Sequence, residues 1–139
     1  MTVFEPADFN PEQPVYKVCT WDEAGNRTER MVDVTNVDPH HSDEAEMFAY
    51  ACYVTKSGAY PKAADLFLRT RGYFHEAMAD MEEWSEFGTA AVDFAERHSA
   101  LRNVKQDWTK LAASIMQVQY EGGNLKGYLE YKKFVDFFA

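Results

Sequence analysis

The chain has 139 residues, 46% apolar and 15% aromatic, with 14 basic against 23 acidic residues for a net charge of −9. That is the length of one domain with enough apolar mass for a core, which excludes global disorder; two cysteines exclude a disulfide scaffold. No apolar run approaches the roughly 18 residues of a membrane span, and the negative balance repels phosphate backbones, so the expectations are no membrane and no direct nucleic-acid binding. The amino terminus, Met1-Thr2-Val3-Phe4-Glu5-Pro6, is acidic and short of hydrophobes. It reads as lacking a secretory leader, which predicts a cytoplasmic protein.

Residues 1–14 carry Pro6, Pro11 and Pro14 without sustained periodicity. They predict an extended arm ahead of a single domain over 15–139. Val15 to Trp21 is rich in β-branched and aromatic types, and Asp22 to Asn26 is a turn with Gly25 free to take a positive φ. Arg27 to Thr35 alternates, with Arg30, Val32 and Val34 on one face and Glu29, Met31 and Asp33 on the other. A β-hairpin over 15–35 follows. Two strands alone are marginal in water, so the hairpin must pack on helices, gain a third strand or pair with another chain.

The remainder, 43–138, reads as helix. Asp43 with Glu46 is a capping-box pair, Met47 to Val54 is apolar all round, and Gly58 ends the segment, giving a buried helix over 43–57. Pro61 fits the first turn of a second helix, over 61–87, with Gly72 a possible interruption and Gly88 a stop. Thr89 can cap a third. Its stripe, which includes Ala90, Phe94, Leu101, Val104, Trp108, Leu111, Ile115 and Val118, predicts one long helix over 89–121, about 50 Å in length. Asn103 with Gln106 offers a break as the alternative. Asn124 caps a last helix over 124–137, with Leu125, Tyr128, Leu129 and Val135 along one side. Phe134, Phe137 and Phe138 make its end unusually aromatic, as core or as interface. The fold class is α+β, mainly α: an N-terminal β-hairpin followed by about four helices, the third long.

Chemistry-bearing residues are sparse. The Gly-rich nucleotide fingerprints are absent. His40 and His41 precede the first helix beside Asp43 and Glu44, a mixture that could ligate a metal, although no spaced second motif completes the set. A polar helix entry with partly exposed histidines is the plainer reading. His75, Glu76 and Asp80 could supply a general base, but nothing tunes them, and a solvated face is the plainer reading. Cys19 and Cys52 read as buried, reduced thiols.

Charge is distributed unevenly. Residues 1–100 hold 19 acids and 8 bases, net −11, while 101–139 hold 4 acids and 6 bases, net +2. Glu76, Asp80, Glu82, Glu83 and Glu86 bring five acids and no base into eleven residues. With about 100° per residue and Phe74 at zero, they fill an arc from about 80° to about 240°. Phe74, Ala77, Met78, Met81 and Trp84 fill the opposite arc. Five acids on one face repel, so a face without lysines points to a basic partner.

The expected function is therefore a non-catalytic acidic protein-interaction module with no cofactor. One version is an inhibitor that occupies the nucleic-acid-binding surface of a partner protein by presenting phosphate-like charge. The first alternative is a structural subunit or homo-oligomer, with a homodimer built on the long helix stripe and the hairpin edges. The second is a small metal-dependent enzyme using His40, His41 and Glu44.

Overall fold

The amino-terminal quarter folds as a three-stranded antiparallel sheet: β1 (Thr2–Phe4), β2 (Val15–Trp21) and β3 (Arg27–Asp33), in the order β1-β2-β3. The computed structural model describes residues 1–22, 24–85 and 103–139, without the side chains of 77–85. The predicted hairpin is present, with Val15 opposite Asp33 and Trp21 opposite Arg27. The first residues of the extended arm form β1, the third strand that the hairpin called for, placing Thr2 against Cys19 and Phe4 against Lys17. The third strand covers an edge of β2 and relieves the hairpin's marginal stability. The β2–β3 turn is closed by Asp22, whose carboxylate accepts from Asn26 N at 2.8 Å, and by Gly25 at φ 83°.

Alternation holds up to residue 33 and then stops. Asp33 accepts from Thr35 N at 3.0 Å and starts a 3-10 turn over Val34–Asn36, so Val34 leaves the strand but remains buried. Tyr16, Val18 and Val32 form the sheet's buried face and meet Val34, Val37, Ala45 and Ala49.

Four helices follow among the described residues: α1 (Glu44–Ser57), α2 (Ala63–Ser85), α3 (Trp108–Glu121) and α4 (Leu125–Phe138). The capping box of α1 forms as predicted, with Asp43 Oδ1 accepting from Glu46 N at 2.9 Å and Asp43 N donating to Glu46 Oε1 at 3.1 Å. Gly58 ends α1 at φ 82°. Ala45 and Ala49 face the sheet, while Met47, Ala51 and Val54 face the other helices. Contact on both sides is why Met47 to Val54 is apolar all round. Pro61 lies in the turn before α2, and the helix runs through Gly72 without interruption. The second core joins Met47, Leu66, Phe67, Trp108, Ile115 and Phe134 with their neighbours.

The continuous helix over 89–121 is not formed. Residues 103–107 are not helical, and α3 starts at Trp108, with Asp107 as its cap accepting from Lys110 N at 3.1 Å. The alternative cap at Asn103 is not used either. Gln106 instead exchanges backbone bonds with Ser42, at 2.8 and 3.1 Å, and Trp108 Nε1 donates to Ser42 O at 2.9 Å. These bonds fasten the chain across the start of α1, and the core takes Trp108 whole. Thr89, Ala90, Phe94, Arg97 and Leu101, with the stop at Gly88, lie outside the described residues. On the predicted stripe, Trp108 and Ile115 are buried, whereas Val104 and Val118 are exposed. At 14 residues α3 is about 21 Å long, so the homodimer loses the 50 Å stripe on which it was argued.

Asn124 caps α4 as expected, accepting from Gly127 N at 3.0 Å. The side that carries Leu125 and Leu129 is not its buried face. Tyr131, Phe134 and Phe138, at three- and four-residue steps, enter the core, while Leu125 and Leu129 are 64% and 53% exposed. The aromatic end is therefore mostly core; Phe137 is half-exposed, with its ring 5.2 Å from that of Tyr60.

Candidate functional site

Charged side chains from four segments meet at the start of α1. The capping box fixes Asp43 and Glu46, and the helix geometry then turns Glu44 inward, where its side chain is only 1% exposed. A buried carboxylate needs compensating donors. Two come from α2, where Arg71 and His75 are four residues apart on one face. Arg71 Nε donates to Glu44 Oε2 at 2.8 Å, and His75 Nε2 bonds Glu44 Oε1. Burial pushes the Glu44 carboxyl up, but the bonds from His75 and Arg71 outweigh it and hold the group below its ordinary value. Beside this pair, Arg30 of β3 bridges Asp43 and Glu46, and Lys105 reaches Glu46 at 3.4 Å. A pocket of about 180 Å³ opens next to it, lined by Trp21, Arg30, Glu44 and Asn103 among others.

Both oxygens of Glu44 are engaged, so the carboxylate acts as an ionised brace between α1 and α2. It does not share a site with His40 and His41. His40 Nδ1 lies 3.2 Å from Asp107 Oδ1 and 3.1 Å from Thr109 Oγ1, at the cap of α3, and His41 is exposed. The three residues offered as a metal set thus enter different surroundings. Among the described residues, no group of three or more His, Cys, Asp or Glu side chains is placed to hold a metal ion.

His75 is the second departure. The expectation of a solvated His75, Glu76 and Asp80 face fails at His75, which is 15% exposed and bonded to Glu44. Neighbouring Glu76 is exposed. Asp80, Glu82 and Glu83 lie on α2, where only the backbone is described, and Glu86 lies outside the described residues. Cys19 is buried, with its sulfur 3.3 Å from Arg27 Nη2; burial pushes the Cys52 thiol up to about 11.

The brace was visible in the sequence only as an inward-facing acid in the first turn of one helix and an Arg/His pair at four-residue spacing on the next. Neither half identifies the other without the packing angle. No protein-family model, curated protein or solved structure matches this chain. Among the described residues no helix is long and apolar enough to cross a membrane.

Proposed function

We propose that the chain is a non-catalytic interaction module whose acidic stretch, Glu76, Asp80, Glu82, Glu83 and Glu86, binds a basic surface on a partner protein. The observation that carries this reading is how the charges are distributed. Between Arg71 and Arg97 the sequence holds seven acids and no base. Elsewhere in the described residues acids and bases are interspersed and several are paired, as in Lys17–Glu29, Arg69–Glu130 and Lys132–Asp136.

A partner whose basic surface binds nucleic acid fits this chemistry, with the module acting as an inhibitor by occupying that surface. The free cysteines Cys19 and Cys52 suit a reducing compartment, so the proposed location is the cytoplasm. The test is affinity capture from the native host with wild-type protein and the Glu76→Lys, Asp80→Lys, Glu83→Lys variant. A partner captured by wild type at low salt, released at high salt and missed by the variant supports the reading. Equal capture of the same partners by both proteins contradicts it.

A further inference from the structure

Most basic side chains in this fold already have acids. Fourteen bases, less Arg97 and Arg102 outside the described residues, leave twelve; eight of them form ion pairs. The four without an ion pair among the described residues are Lys62, Lys110, Lys126 and Lys133. Three of these four line one groove, so among the described residues the lysine charge without an ion pair is concentrated in one place.

The groove holds about 310 Å³ and runs between the start of α2 and one face of α4. Tyr60 and Leu66, both buried, form its floor. Lys126, Leu129, Glu130 and Lys133 recur at three- and four-residue steps, so they share one side of α4. The one carboxylate on the wall, Glu130, is bound by Arg69 at 2.8 Å, which offsets its charge. Burial, followed by the nearby Glu130 and Asp65 charges, pushes the Tyr60 hydroxyl up to about 12, so it adds no negative charge. Lys133 Nζ stands 5.4 Å from the Tyr60 ring centroid. Leu129 is 53% exposed at the rim, an apolar side chain left uncovered between lysines.

We propose that this groove docks an acidic segment of a partner protein, with an aliphatic or aromatic side chain of that segment seated on Tyr60, Leu66 and Leu129. Lysines are compact charges on flexible stems and suit carboxylates arriving at varied angles; phosphate forks are better matched by arginine. A bare phosphate has nothing to place on the apolar floor. A long polyanion would meet the repulsion of the whole molecule, whereas a short segment meets mainly the local lysines, because screening limits the field to about 8 Å at physiological salt. The groove is also separate from the acidic stretch. Leu66 and Asp80 are about 21 Å apart along α2, so the inference goes beyond the proposed function and does not depend on it.

The test uses the full chain and a short fluorescein-labelled peptide with a Leu-Trp pair flanked on both sides by glutamates. Fluorescence anisotropy should show saturable binding that weakens with salt. Lys126→Glu with Lys133→Glu should weaken it at least about tenfold while leaving the circular dichroism unchanged, and Leu129→Ser should weaken it by a smaller factor. A peptide with the Leu-Trp pair replaced by serines should bind at least about fivefold worse. No binding, binding indifferent to the lysine reversals, or equal binding of the serine peptide would each overturn the proposal. Salt-sensitive self-association of the wild type, abolished by the same reversals, would also overturn it and assign the groove to a second copy.

Discussion

Removing the Glu44 carboxylate should destabilise the fold by about 3 kcal/mol. Breaking a fully buried ion pair by removing one partner costs about 3–5 kcal/mol, because the other charge is left without compensation. Here the partners have some access to water: the Arg71 side chain is 25% exposed and that of His75 is 15% exposed. Partial rehydration reduces the loss to about 2–3 kcal/mol. Glu44 also opens α1, and losing an anion from a helix amino terminus adds about 0.3–1 kcal/mol. In a urea titration with a slope of about 2 kcal/mol/M, Glu44→Ala should lower the midpoint by about 1.5 M with the slope unchanged. A double-mutant cycle with Arg71→Ala should return a coupling of about 1–2 kcal/mol. A Glu44→Ala midpoint within about 0.3 M of wild type, or a coupling near zero, would refute the brace.

The same carboxylate makes the stability depend on pH. Its folded value lies below the ordinary 4.5, so its contribution is complete above that value and is lost as pH falls through the folded one. The stability gap between wild type and Glu44→Gln should therefore shrink as pH falls below about 5, measured by urea midpoints; a gap that stays constant or widens on acidification contradicts the assignment. Trp108→Phe should cost about 2–3 kcal/mol, since it removes the Nε1 bond to Ser42 O and leaves a void beside Phe67. An unchanged thermal midpoint for that variant would mean that the 103–108 segment is not fastened through Trp108.

Local signals were reliable where a few adjacent residues decide the structure. The capping box at Asp43, the stop at Gly58, the turn at Gly25 and the cap at Asn124 are set by neighbouring residues, and each formed as read. The errors arose where tertiary contacts choose between local options. Periodicity alone carried the 89–121 stripe through Asp107, but the core took Trp108 and the bonds between Ser42 and Gln106 ended the run. On α4, aromatic Tyr131, Phe134 and Phe138 outcompeted Leu125 and Leu129 for burial, since larger rings remove more apolar area from water. β1 was hidden because three residues are too few for a pattern and gain their structure from β2. The Lys62, Lys126 and Lys133 groove could not be read at all, because it joins positions more than sixty residues apart.

If the acidic stretch steers a basic partner, the association rate of the captured partner must depend on ionic strength, compared between wild type and Glu76→Lys, Asp80→Lys, Glu83→Lys. The wild-type rate should fall steeply as salt rises. The variant, with unchanged helicity, should associate at least about tenfold more slowly at low salt and show little salt dependence. Equal rates with equal salt dependence in the two proteins would contradict the claim and leave the stretch as solvated surface.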